Sequence, residues 1–255
     1  MALAATIFIA RMTTEELAEI LNGARPVAVL LPVGAIEPHG PHLPLDTDLI
    51  ISRAAAARAV ALLDARGVRA LVAPDVAYGV TECARDFAGA AGVDAAAFSA
   101  YLRGVVSGWL GTGASHVSVV NNHLEPAHDD AVRGAVAGFQ PSRVSVACPL
   151  ARRWARTLSD EFKRGACHAG EYETSIVQAT NPEAVREDIR VALPEVDVSL
   201  SGQLGAGIDT FRAMGLDRAY AGAPARARTA HGVEMIEKLG EMVATEVLEA
   251  IGAGR

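Results

Sequence analysis

The chain has 255 residues, of which 51% are hydrophobic and 21% charged, so it can bury a substantial core and lacks the composition of a disordered protein. The formal net charge of −7 argues against nucleic-acid binding, which depends on clustered lysine and arginine, and no apolar run is long enough to span a membrane. This length suits one α/β domain over residues 1–255.

The cysteines and the first residues bear on the cellular compartment. The three cysteines are an odd number, widely spaced and without a CxxC pair, which indicates reduced thiols rather than disulfides or a cysteine zinc site. The apolar run from Ala2 to Ala10 lacks the basic flank that opens a secretory signal. We therefore expect a cytoplasmic protein.

Helical and strand patterns alternate along the first two thirds of the chain. In chain order, the sequence predicts a helix at 13–22, a strand at 27–33, a helix at 47–65, a strand at 69–76, a helix at 94–110, a strand at 116–120, a helix at 127–139, a strand at 143–147, and helices at 171–179 and 233–251. This alternation favours an α/β fold with a parallel sheet covered by helices. The segment 197–228 shows no clear period, and such long irregular segments usually serve function or subunit contacts.

Polar residues directly follow two of the predicted strands. Glu37 and His39 lie two positions apart after the first strand, and Asp48 follows beyond a loop rich in proline and glycine. His123 and Glu125 repeat the same spacing after the third strand. Carboxylate and imidazole groups suit Zn²⁺, Mn²⁺ or Fe²⁺, and five such ligands can hold two ions with open positions for water and substrate. On spacing alone, a surface loop with incidental polar residues explains Glu-x-His about equally well.

A third polar cluster precedes the helix at 171–179. His168 is a candidate for proton transfer because imidazole titrates near neutral pH, although a hydrogen-bonded histidine at a helix entry is the alternative. Glu173 can belong to the same site or can stabilise the first turn of that helix. His128, Asp129 and Asp130 are interpreted as the first turn of the helix at 127–139, outside the site.

The segment Leu31–Asp48, with the sequence LPVGAIEPHGPHLPLDTD, closely resembles the signature of the creatininase family of amidohydrolases. That signature is a Glu-x-His-Gly-x-His-Leu-Pro core with an aspartate a few residues on. The motifs Asn122–Glu125 and His168–Ser175 are similar to the second and third motifs of the family, in the same order. The resemblance spans about residues 27 to 182.

The resemblance carries specific expectations. It implies a three-layer α/β/α sandwich with a mainly parallel central sheet, a homo-oligomer of hexameric type, and packing between subunits by the segment 197–228. It implies two divalent metal ions, either zinc, manganese or iron, held by Glu37, His39, Asp48, His123 and Glu125, with Asp48 bridging. His168 matches the histidine used in proton transfer, Glu125 can share that task, and Glu173 matches a further catalytic acid.

Departures from the family pattern bear on the substrate. Cys167 stands beside His168 where creatinine hydrolases are expected to carry an acidic residue, and the run Glu161–Ala166 offers no tryptophan to stack on a flat ring. Both features argue against creatinine itself.

The resulting prediction is a dinuclear metal-dependent amidohydrolase. A water shared by the two ions would lose a proton near neutral pH, and the hydroxide would attack the carbonyl carbon so that the C–N bond of a small non-peptide amide, lactam or formamide breaks. The alternative is a catalytically inactive family member, stabilised by metal, that serves as a scaffold or as a subunit of a larger complex. A nucleotide loop at Gly202–Gly207 is disfavoured because its spacing is neither GxGxxG nor that of a P-loop.

Overall fold

The fold is built on a parallel sheet, and the polar motifs follow the carboxyl ends of its central strands. A computed structural model describes residues 6–252 of the chain. Its strands are β1 (Val27–Val33), β2 (Arg69–Val72), β3 (His116–Asn121) and β4 (Val144–Ala147). They form one four-stranded sheet in the order β2-β1-β3-β4, with every pair parallel. The carboxyl ends of the two central strands therefore lie side by side.

Helices cover both faces of this sheet. The longer helices are α1 (Thr14–Leu21), α2 (Thr47–Asp64), α3 (Ala95–Gly111), α4 (Pro126–Val136), α7 (Glu171–Thr180) and α10 (Thr229–Ile251), and the shorter ones are α5 (Arg152–Ala155), α6 (Asp160–Arg164), α8 (Glu187–Arg190) and α9 (Leu200–Gly205). Single turns of 3-10 helix lie at Ile9–Arg11, Pro182–Ala184 and Pro224–Arg226.

The two faces of β1 feed two separate hydrophobic cores. Ala28 and Leu30 pack with α2, α7 and α10, whereas Val29 and Leu31 pack with α3 and α4 on the opposite face. Because successive side chains of a strand point to opposite faces, a fully apolar strand is the pattern expected between two helical layers. The prediction of a three-layer α/β/α sandwich with a parallel central sheet is confirmed.

Some boundaries differ from the prediction for identifiable reasons. The second strand ends at Val72 rather than at 76, since Pro74 has no N–H to donate, and the chain pairs again only through a single bridge between Val76 and Val33. The helices α5, α6, α8 and α9 are too short to show a helical period in the sequence, and α9 lies within the segment predicted to be irregular.

Within residues 6–252, no helix combines the length and the apolar character needed to cross a membrane. The apolar run at residues 2–10, considered in the sequence as a membrane or signal segment, falls partly outside the described residues.

Candidate metal centre

Two loops and two helix starts converge beyond the ends of the central strands. Glu37 and His39 follow β1, and His123 follows β3. Asp48 lies in the first turn of α2 and Glu173 in the first turn of α7. The partial positive charge at the N-terminus of a helix favours carboxylates there. All five side chains are buried, with exposed fractions of 0 to 3%.

The start of α2 comes unusually close to the end of β1. A Cβ on Gly34 would lie 2.7 Å from the Cβ of Asp48, so only glycine permits this approach. The backbone N–H of Ala35 donates to Asp48 Oδ2 at 3.2 Å. The loop between His39 and Asp48 therefore folds back, as its proline and glycine content predicts.

The converging side chains form three overlapping sets of ligand atoms: two of them share Asp48, and the third joins Glu37, His39 and His168. In the first set, His123 Nδ1 lies 3.3 Å from Glu37 Oε1 and 3.0 Å from Asp48 Oδ2. In the second set, His39 Nε2 lies 3.2 Å from Asp48 Oδ1 and 3.6 Å from Glu173 Oε2. Within each set the ligand atoms lie within 4.8 Å of one another. The two oxygens of Asp48 thus face one set each, which is the geometry of a bridging carboxylate.

The histidines of the centre are oriented by backbone carbonyls. His39 Nδ1 donates to the carbonyl of Glu37 at 3.1 Å, and His123 Nε2 donates to the carbonyl of Val80 at 2.7 Å. A carbonyl can only accept, so each ring donates from its outer nitrogen and turns the other nitrogen towards the carboxylates, where it could ligate a metal ion after losing its proton. His39 Nε2 is buried and has no hydrogen-bond partner. Metal-bound histidines typically show this arrangement, with the outer N–H held by a carbonyl.

The electrostatics of the cluster favour a cation. Burial alone lowers the pKa of His39, but Asp48, Glu173 and Glu37 raise it to about 10. Burial raises the pKa of Glu37, but the attraction of His123 outweighs burial and lowers the pKa of Glu37 to about 2. The Glu173 carboxyl has a pKa of about 8, chiefly because it is buried. A cluster that holds protons on its imidazoles so strongly is one that a divalent ion would stabilise, with release of those protons.

His168 occupies a position suited to proton transfer. Its Nε2 donates to the carbonyl of Pro38 at 2.9 Å, and its Nδ1 lies 3.9 Å from Glu37 Oε1. Its ring packs between those of His39 and Phe211, with centroids 4.5 Å away in each case. Burial, reinforced by His39, lowers its pKa to about 4, so the ring is neutral with a free lone pair on Nδ1.

Glu125 is placed differently from the other predicted ligands. Its two carboxylate oxygens accept the backbone N–H groups of Glu82 and Cys83 at 2.9 and 3.0 Å. Among the described residues, the sets of clustered ligand atoms contain Glu173 and not Glu125. The five-residue ligand assignment from the sequence remains a prediction, and the geometry suggests exchanging these two acids.

A cavity of about 640 Å³ opens above the cluster. We call the part of its lining formed by Glu37, Asp48, His123, His168 and Glu173 the floor, and Glu125 also lines the cavity. The buried centre therefore borders a cavity large enough for a ligand, as a catalytic site requires.

Sequence reasoning missed residues close to the centre, among them a histidine of α4. His128, assigned to the first turn of α4, is fully buried, and its ring lies 4.7 Å from that of His123 and 4.8 Å from that of Phe98. The backbone N–H of Val80 donates to its Nδ1 at 3.2 Å. A histidine five positions after a candidate ligand was the only available signal, and it is a weak one.

Comparison with known proteins identifies the family. The model of the creatininase family, described as creatinine amidohydrolase, matches residues 10–247. A mycofactocin precursor peptide peptidase of Mycolicibacterium smegmatis (strain ATCC 700084 / mc(2)155) is 34% identical over 164 residues, covering 63% of this chain and only 60% of that relative. A creatinine amidohydrolase of Pseudomonas putida is 25% identical over 205 residues, covering 72% of this chain and 75% of that relative.

Solved structures agree in fold. A creatinine amidohydrolase (creatininase) superposes with a TM-score of 0.72 at 19% identity, covering 96% of this chain and 98% of that chain. A mutant creatininase described as the Zn-Zn type superposes with a TM-score of 0.70 at 20% identity, with the same coverage. The resemblance seen in the motifs is confirmed, and the chain belongs to the creatininase family of hydrolases.

Proposed function

We propose that this protein hydrolyses the C–N bond of an amide with the help of two divalent ions, zinc, manganese or iron. The observation that carries the proposal is the pair of buried ligand sets joined by Asp48 at the floor of a cavity. We assign Glu37, Asp48 and His123 to one ion and His39, Asp48 and Glu173 to the other. Ions bound there would acidify a water molecule and polarise the amide carbonyl.

The other residues of the cavity supply proton transfer. His168 is neutral and its Nδ1 is free, so it can take the proton released by the attacking water and deliver it to the leaving nitrogen. The N–H groups of Glu82 and Cys83 fix the Glu125 carboxylate at the side of the cavity, where we assign it to orienting the attacking water.

The names of two relatives support a wider proposed substrate range than the one predicted from the sequence. One relative is named as a peptidase and another as a creatinine amidohydrolase, so both peptide and non-peptide amides occur among related proteins. We therefore extend the proposed substrates to peptide bonds, and we keep hexamer formation and a cytoplasmic location as predictions.

Metal analysis of single variants tests this assignment. Protein purified without added metal or chelator is expected to hold about two ions per chain, as two ligand sets require. Glu37→Gln and Glu173→Gln are each expected to lose about one ion, because in the proposed assignment each of these acids ligates one ion only. Glu125→Gln and His168→Ala should keep both ions and lose amide turnover by about 100-fold or more.

Glu171→Gln is the matched control, since Glu171 shares the first turn of α7 with Glu173 but pairs with His231 outside the cluster. Loss of an ion from Glu125→Gln, with both ions retained by Glu173→Gln, would restore the ligand set read from the sequence. A parent protein that takes up no metal would overturn the proposed hydrolysis.

A further inference from the structure

The cavity extends well beyond the metal ligands and changes character there. Its volume of about 640 Å³ lies within the range of about 300–1,000 Å³ that accommodates drug-sized ligands, which exceeds the need of a small ring. Above the floor, the lining includes Leu150, Phe162, Leu200, Leu204 and Phe211. We call the four residues Phe162, Leu200, Leu204 and Phe211 the apolar wall.

The apolar wall begins directly at the reacting groups. The Phe211 ring packs on His168 with centroids 4.5 Å apart. Phe162 is 7% exposed and packs edge-on against Tyr172 at 5.1 Å, which fixes its orientation. Leu200 and Leu204 lie one helical turn apart on α9 and therefore share a face of that helix. A group attached next to the scissile amide would meet this wall first.

The wall offers few partners to a polar substituent. Lys163 lies at the cavity beside Phe162, but its ammonium group pairs with Asp160 at 3.1 Å. Asp129 also lines the cavity and pairs with Arg133 through Oδ2 at 2.7 Å, whereas its Oδ1 has no hydrogen-bond partner. A polar group pressed against the wall would lose water without gaining hydrogen bonds, whereas an apolar group gains from burial.

We propose that the apolar wall binds a branched aliphatic or aromatic group adjoining the scissile amide of the substrate. This inference rests on the proposed function, because amide hydrolysis identifies the bond that is cleaved. Binding of the apolar group itself requires no metal. It assigns to Leu200 and Leu204 the role of determining substrate specificity.

The experiment adds one of two uncharged amides, acetamide or 4-phenylbutyramide, to the protein as purified. The leucine methyl groups of the protein are isotope-labelled, and their resonances are followed by NMR. The methyl resonances of Leu200 and Leu204 are expected to shift with 4-phenylbutyramide and not with acetamide. Burial of the phenylpropyl group should give at least about tenfold tighter binding. Leu204→Asp should abolish that difference, while Val191→Asp, at an exposed position after α8, should leave it unchanged.

Hydrolysis of both amides is measured on the same samples, which separates the two proposals. Methyl shifts without hydrolysis of either amide would support the apolar wall and count against the proposed function. Hydrolysis of both amides at equal kcat/KM, without methyl shifts, would overturn the apolar wall and leave amide hydrolysis standing. Absence of both shifts and hydrolysis would overturn the apolar wall and the proposed function together.

Discussion

At the scale of single residues, backbone carbonyls fix the orientation of the imidazoles in the centre. His39, His123 and His168 each donate one ring N–H to a carbonyl of the surrounding loops. The carbonyl that holds His123 belongs to Val80, and the N–H of the same residue donates to His128. His128 therefore acts as a positioning residue, since it fixes the backbone that orients a proposed ligand.

Replacing His128 tests this positioning role. His128→Phe keeps the packing against Phe98 but removes the acceptor for the Val80 N–H, so we expect metal affinity to fall by about 10- to 100-fold. Competition with a chelator measures the affinity. His116→Asn, which changes a buried histidine at the start of β3 far from the cluster, is the control and should bind metal normally. Unchanged metal affinity in His128→Phe would contradict the positioning role.

At the scale of elements, α7 is positioned by a buried acid from a neighbouring helix. The carboxylate of Glu161 in α6 accepts the N–H groups of Glu171 and Tyr172 at the start of α7 and that of Ala223. The first N–H groups of a helix have no partner within the helix, and a carboxylate satisfies them well. The approach is tight, because a Cβ on Gly170 would lie 2.6 Å from Glu161 Oε2.

Substitution of Glu161 should therefore weaken the fold. Glu161→Gln places an amide NH₂ against backbone donors, and we expect the free energy of unfolding to fall by about 1–3 kcal/mol. Urea unfolding followed by circular dichroism measures this change. Asp160→Asn alters the adjacent acid, whose side chain is 85% exposed, and should change the stability by less than about 0.5 kcal/mol. Equal stability of the two variants would show that Glu161 does not hold α7 in place.

At the scale of the whole molecule, one sheet joins two helical layers. Trp154 packs with the core formed by α2, α7 and α10, and Trp109 packs with the core formed by α3 and α4. Because β1 contributes side chains to both cores, neither layer can lose its packing without exposing the strand that supports the other.

The two tryptophans offer a test of the predicted single domain. Trp109→Phe leaves Trp154 as the reporter of one layer, and Trp154→Phe leaves Trp109 as the reporter of the other. In each variant, the urea midpoint from fluorescence should coincide with the midpoint from circular dichroism, because both layers unfold together. A fluorescence midpoint that departs from the circular dichroism midpoint by more than the experimental error would indicate two independently folding units.

The local patterns of the sequence were sufficient for the fold class and for much of the candidate site. The apolar run Val27–Val33 predicts a strand buried on both faces, because burial and side-chain alternation are encoded in consecutive residues. The motif spacing likewise placed Glu37, His39 and His123 beyond the ends of the central strands, since parallel strands end at the same edge.

Only the tertiary structure decided which acids face which partners. Glu125 is drawn to the N–H groups of Glu82 and Cys83, which are 43 and 42 positions away in the chain, and Glu173 instead reaches the centre. Ala169 adopts a positive φ of 51° between His168 and α7, which residue types alone do not predict. Loop side chains take their direction from backbone torsions and distant partners, so the local sequence pattern determines their neighbourhood but not their contacts.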